Sequence, residues 1–340
     1  MVLYTGTGGT TFTSTGQVKF SAGSFTSPAS GEYNVGGTSV TTTLSVTPDS
    51  SITSDVTSGW IGVGLPAGFT SSSTKLSLGS NSAAFYSVYS SSSSFTGGFM
   101  IAPLSASMLV AKTVANTLSM DSGLIVPSST GSSSGAGTGT FTVFMAGSTI
   151  GSQCTCASQS SPITVSINPA TITSDTCTID KLYAQGSDSV DSTLTFTFTT
   201  VNPIPAGGKI TITLASGSWT LQSSSPLVTT CQGVGFSDQS QALLQSCAVS
   251  GTTVSLTQFS KIAESSVSVK LYYVIPTSTA AGSIYCYTAL STYDENGNVI
   301  DSASSLTNSV TVVVSTAAGT TNTNSFVTKP YPNVARETTG

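Results

Sequence analysis

Thr193-Leu194-Thr195-Phe196-Thr197-Phe198 and, after a Pro/Gly-rich break, Ile210-Thr211-Ile212-Thr213-Leu214 decide the fold class of this chain. In both runs every second residue is apolar and the residues between are threonine. That period of two puts the apolar side chains on one face of an extended strand and the hydroxyls on the other. Threonine, isoleucine and phenylalanine also favour a pleated, half-buried surface. Val18-Lys19-Phe20, Thr43-Leu44-Ser45-Val46 and Val267-Ser268-Val269-Lys270-Leu271 repeat the pattern. Many short strands, separated by Gly, Pro, Asn and Ser turns about every ten residues, predict an all-β sandwich or barrel. Helix is confined to Gln241 to Gln245 and part of Ser105 to Leu118.

An internal repeat divides the chain. Thr43-Leu44-Ser45-Val46-Thr47 leads to Gly59-Trp60-Ile61-Gly62-Val63-Gly64-Leu65. In the second half, Thr195-Phe196-Thr197-Phe198-Thr199 leads to Gly208-Lys209-Ile210-Thr211-Ile212-Thr213-Leu214. Further on, Phe141 to Met145 precedes Gly151-Ser152-Gln153-Cys154, and Val267 to Ile275 precedes Gly282-Ser283-Ile284-Tyr285-Cys286. The repeat predicts two tandem antiparallel sandwiches, over residues 16–157 and 162–316, joined near Ser158 to Pro162. Residues 1–15 and 317–340 are read as terminal extensions.

The stretch Val201-Asn202-Pro203-Ile204-Pro205-Ala206-Gly207-Gly208-Lys209-Ile210-Thr211-Ile212-Thr213-Leu214, followed by Trp219, Cys231, Gly235-Phe236 and Cys247, resembles a module repeated in large secreted surface proteins of protists such as ciliates and algae. The resemblance runs from Ile163 to Val314, with Leu214-Ala215 departing from the more proline-bearing strand end of that family. It implies an immunoglobulin-like sandwich with a role in extracellular architecture.

Composition narrows the chemistry. The 340 residues hold no histidine, 9 Lys+Arg and 14 Asp+Glu, and 7% of the chain is charged, against about a quarter in ordinary soluble domains. A net charge of -5 disfavours nucleic acid, whose phosphates need a dense basic footprint. No apolar run approaches the ~20 residues of a membrane-spanning helix. Without histidine, every Ser-His and Cys-His nucleophile is absent. Asp121-Ser122-Gly123 has the form of an aspartic-protease loop, but that mechanism shares a proton between two such aspartates, and no second Asp-Ser/Thr-Gly exists. The few carboxyls likewise make no convincing glycosidase pair. The expectation is a non-enzyme with no cofactor.

Six cysteines without histidine read as disulfides of an oxidising compartment, which places the chain outside the cell or on its surface. Cys231 and Cys247 flank one Gly/Ser/Gln loop and are the expected pair. Cys177, Cys286, Cys154 and Cys156 are left without assigned partners, because six cysteines allow 15 pairings. Met1 to Gly16 shows neither a basic nor an apolar leader region, so a leader has been removed or the chain is a piece of a longer one.

The remaining candidates are for binding and assembly. Asp294, Asn296, Asn298 and Asp301 form an oxygen-rich stretch that suits calcium weakly, while Asn296-Gly297 signals a type I′ hairpin turn. Ser90, Ser91, Ser92, Ser93 and Ser94, with Ser132, Ser133 and Ser134, are candidate O-glycosylation sites; no Asn-X-Ser/Thr acceptor exists. Trp60, Tyr86 and Tyr89 are candidates for a sugar platform. Phe326, Val327 and Tyr331, in a tail whose two prolines suit an edge strand, are candidates for adding to a neighbouring copy. The resulting expectation is a glycosylated extracellular filament subunit assembled head to tail. Its alternative is an adhesin or carbohydrate-binding module.

Overall fold

The computed structural model describes residues 20–38, 40–48, 60–71, 75–79, 81–84, 87–89, 99–112, 114–146, 163–180, 193–221, 231–234, 244–258, 261–264, 266–272, 274–276, 281–303 and 308–313. Among them there is no helix, and the fold is all-β. The stretches expected as helical turns take other forms. Ser105 and Met108 close a turn on each other through backbone hydrogen bonds of 2.9 and 3.2 Å, and Leu244 and Gln245 open a strand. In the first, Ser105 Oγ also accepts from Met108 N at 3.1 Å, a side-chain bond that closes the turn in place of a helix.

The first unit is two facing sheets. One runs β1 (Phe20–Ser27), β3 (Val40–Pro48), β10 (Asn116–Ile125), β6 (Lys75–Leu78), β7 (Asn81–Ala84), with the short β5 (Thr70–Ser71) also on β10. The other runs β2 (Glu32–Asn34), β12 (Ile163–Asn168), β11 (Gly137–Ala146), β4 (Trp60–Gly64), β9 (Phe99–Pro103), β8 (Ser87–Tyr89). Leu44, Val46, Leu118 and Met120 from one sheet meet Ile61, Val63, Met100, Phe141 and Val143 from the other in one core. Edge-to-face contacts of Phe69 with Tyr33 and Phe141, both at 5.5 Å, fill its centre, a geometry suited to aromatic quadrupoles. Burial pushes the Tyr33 phenol up to about 12, although its hydroxyl shares a 2.8 Å bond with Thr42 Oγ1.

The second unit repeats this plan. One sheet runs β13 (Ala170–Thr171), β25 (Val299–Ala303), β24 (Tyr287–Tyr293), β16 (Lys209–Leu214), β20 (Thr253–Gln258), β19 (Leu244–Ser250). Its partner runs β14 (Thr176–Ile179), β15 (Thr193–Thr199), β21 (Ser266–Tyr272), β18 (Cys231–Val234). Two ribbons, β17 (Trp219–Leu221) with β22 (Val274–Pro276) and β23 (Gly282–Tyr285) with β26 (Ser309–Val312), complete it. Leu194, Phe196 and Phe198 of β15 face Ile210, Ile212 and Leu214 of β16 across a separate core. The alternation quoted first is therefore the inner lining of the second sandwich.

Strand for strand, the orders β3-β10-β6 and β2-β12-β11-β4-β9-β8 correspond to β15-β21-β18 and β13-β25-β24-β16-β20-β19. Three expectations are corrected by this correspondence. The boundary does not fall at Ser158 to Pro162. Ile163, Val165 and Ile167 of β12 pair with β11 and bury in the first core, so the crossing into the second unit comes between Asn168 and Ala170. A Ser-rich stretch looks the same whether it joins two strands or two units. The sheets are also not wholly antiparallel, because β2 runs parallel to β12 and β13 parallel to β25. Finally, the counterpart of β11 is β24, while β21 corresponds to β10; the Gly-Ser-Cys part of the sequence repeat was displaced by one strand.

Candidate functional site

The most specific arrangement of polar groups lies where the units meet. The turn after β2 brings Gly36, at φ +72°, against Asn202 in the β15–β16 loop of the second unit. Asn202 is held from behind by Asp301 of β25. Nδ2 of Asn202 donates to Oδ1 at 2.7 Å, and the backbone N–H groups of Asn202 and Val201 donate to Oδ2 at 3.1 and 3.0 Å. Asp301 is fully buried. Burial pushes its carboxyl above the usual carboxylate range, with a smaller contribution from Glu264, and the three N–H donors oppose the rise without cancelling it.

Backbone pairing crosses the same junction. Thr130 N donates to Val299 O at 2.8 Å, and Val299 N donates to Ser132 O at 2.8 Å. These two bonds tie the β10–β11 loop to β25. Ile300, next along β25, packs into the core of the first unit. Beside it a cleft is lined by Ser128, Pro203, Pro205, Lys261, Asp294, Glu295 and Ile300.

Of the calcium candidates, Asp294, Asn296 and Asn298 share one turn and Asp301 stands apart from them. Asp294 accepts at Oδ1 from the N–H groups of Asn296 and Asn298 at 2.9 and 2.7 Å, and at Oδ2 from Nδ2 of Asn298 at 2.9 Å. Partial burial works to raise its pKa, but these bonds and one from Ser129 outweigh it and hold the carboxyl below its usual range. The Asp301 carboxylate turns away to Asn202. Among the described residues no three His, Cys, Asp or Glu side chains converge as metal ligands. Nor is the turn a two-residue type I′. Asp294 and Asn298 pair through the backbone at 2.9 Å, and Gly297, at φ +84°, completes a three-residue loop, a form matched to strand twist by its left-handed glycine.

Sequence reasoning missed a second polar cluster at the far end of the second unit. Oδ2 of Asp175 accepts from the hydroxyl of the buried Tyr287 and from Nδ2 of Asn308, and Nδ2 of Asn308 also lies 3.2 Å from Tyr287 Oη. These three residues are far apart in sequence and carry no motif. Beside them Cys177 and Cys286 are disulfide-bonded, with Cα atoms 6.4 Å apart. Cys247 is also in a disulfide. With Cys177 and Cys286 joined to each other, its partner is Cys231, Cys154 or Cys156.

The sugar-platform candidates separate. Trp60 of β4 pairs with Pro103 at one end of β9, and Tyr89 of β8 pairs with Phe99 at the other, about 13 Å away at ~3.3 Å per residue. Between them Phe144 and Ile101 lie buried over Gly62, where a Cβ would fall 2.3 Å from the Phe144 ring. That contact explains glycine in Gly59 to Leu65 where the second repeat has threonine. Tyr86, Ser90 to Ser94, Cys154, Cys156, Phe326, Val327 and Tyr331 lie outside the described residues. Ser132 is half-buried in the junction, and Ser133 and Ser134 are exposed.

No family model and no curated protein matches the chain. Among solved structures it is similar to the N-terminal domain of the Streptococcus gordonii adhesin Sgo0707, at 9% identity and a TM-score of 0.31, over 81% of this chain and 60% of that one. It is also similar to the Yersinia pseudotuberculosis adhesin InvE, at 15% identity and a TM-score of 0.28, over 87% of this chain and 58% of that one. The chain thus spans about three fifths of the length of each.

Proposed function

We propose that this chain is a structural module of an extracellular surface or adhesive protein, a stiff segment whose copies join head to tail. The observation that carries this reading is the junction. A cross-unit backbone pair and a shared core residue fix the two sandwiches against each other, beside a loop of the second unit that a buried carboxylate holds in place, whereas units meant to move independently meet through smaller, more polar contacts. A non-catalytic role is part of this reading. The chain has no histidine, and among the described residues the carboxylates of Asp175, Asp180, Asp294 and Asp301 are each held in hydrogen bonds that tie segments of the fold together. Disulfides in a chain of this size fit an oxidising compartment. O-linked sugars on the serine runs would supply the solubility that so few charges do not. The reading is tested by labelling intact source cells with antibodies to the chain and by shaving them with protease. Surface label lost on shaving supports it; protein found only after lysis contradicts it.

A further inference from the structure

The correspondence between the units exposes an asymmetry at their ends. β11 of the first unit starts at the junction, where the loop before it supplies Thr130 and Ser132 to Val299. Its counterpart, β24, runs the other way relative to the junction: Tyr293 lies at the junction and Tyr287 at the far end. The segment before β24 is therefore the second unit's version of the loop that the first unit uses to receive its neighbour. That segment forms β23, which pairs with β26 alone among the described strands and is mostly exposed. Isolated two-stranded ribbons are marginal in water. Tyr285 on β23 and Val313 just past β26 are 49% and 41% exposed, two of the four large exposed apolar residues among those described. The ribbon is held in place at its base, where Trp219 Nε1 donates to Tyr285 O at 2.7 Å.

We propose that this end of the second unit docks the first unit of another copy of the chain, as the corresponding end of the first unit receives the second. The occupant follows from the same correspondence. The surface that fills the internal junction lies at the start of β16 and the turn between β24 and β25; its counterpart in the first unit is the outer end, at the start of β4. That end presents Trp60, half-buried, beside Pro103, an apolar match for Tyr285 and Val313. The two faces differ, so the contact is heterologous and does not close on a pair; repeated, it makes an open chain of copies. Apart from Tyr285 O, which Trp219 takes, the β23 edge away from β26 pairs with no other described strand, and such an edge is a ready template for strand pairing. The inference rests on the head-to-tail reading above and gives it a specific face.

The test is sedimentation velocity of the full chain from about 1 to about 200 µM, the range in which interfaces of modest area associate. The wild type is expected to form elongated oligomers that lengthen with concentration. Y285K/V313K and W60K are each expected to remain monomeric with the wild-type melting temperature, P103K replacing W60K if the latter melts early. Mixed one to one, the two monomeric variants are expected to form a dimer and nothing larger, since each retains the face the other has lost. A wild type that stays monomeric overturns the proposal. So does a mixture that fails to dimerise, or Y285K/V313K that oligomerises like the wild type. Surface labelling of cells is independent of these outcomes, so a failure here leaves the extracellular reading standing.

Discussion

Gly36 and Asn202 belong to different units, yet a Cβ on Gly36 would sit 1.8 Å from Oδ1 of Asn202. Glycine is required there twice over, by this approach and by its φ of +72°. Gly36→Ala is therefore expected to destabilise the chain by about 1–3 kcal/mol through overpacking and backbone strain. Adding Asn202→Ala should return part of that loss, so the double mutant is non-additive in thermal unfolding. Additive losses would place the cost in the backbone alone.

Ile300 lies on a strand of the second unit and in the core of the first. Truncation to alanine leaves a cavity, and Ile300→Ala should cost about 2–5 kcal/mol. Hydrogen exchange reads where the cost falls: amides of β11 and β12 should exchange faster, as well as those of β25. Faster exchange confined to the second unit would mean that Ile300 does not couple the two.

Asp301 makes the junction sensitive to pH. Its folded-state pKa is raised, chiefly by burial, above an unfolded value near 3.9. A raised carboxyl contributes stability fully below the unfolded pKa and loses it as pH rises through the folded pKa. The wild type minus Asp301→Asn difference in unfolding free energy should accordingly favour the wild type more at about pH 3 than at pH 7. The opposite slope would mean that the Asn202 and Val201 donors outweigh burial.

Peptide mapping without reduction should find Cys177 joined to Cys286 and Cys231 joined to Cys247. The first bond spans 109 residues, and in the chain-entropy model a loop near that size stabilises by about 4–5 kcal/mol. Cys177→Ser/Cys286→Ser should lower the melting temperature sharply. Recovery of Cys231 as a free thiol, or joined to Cys154 or Cys156, would refute the second assignment.

The all-β class was legible from Thr193 to Leu214, because period-two alternation has a single structural outcome when one face is buried. The repeat was legible for the same reason where it rested on that alternation, as in Thr43 to Leu65 against Thr195 to Leu214. It failed where it rested on Gly-Ser and cysteine, residues whose placement turns and bridges decide. The boundary failed because Ile163-Thr164-Val165-Ser166-Ile167 reads equally well as the first strand of one sandwich or the last of another. The junction was beyond reach: Gly36, Asn202 and Asp301 look like ordinary turn residues until the topology brings them together. Proline spacing in Asn202-Pro203-Ile204-Pro205 was the one signal near it, and it entered only as part of a family resemblance.

The central claim is that the two units move as one stiff body, and pulsed electron paramagnetic resonance tests it most directly. Labels attached through unnatural amino acids at Ser107 of the first unit and Ser250 of the second, both exposed, report the distance between units without disturbing the disulfides. The account predicts a single narrow distance peak in the wild type that broadens in Gly36→Ala and in Ile300→Ala. A broad distribution in the wild type, unchanged by either substitution, would contradict it.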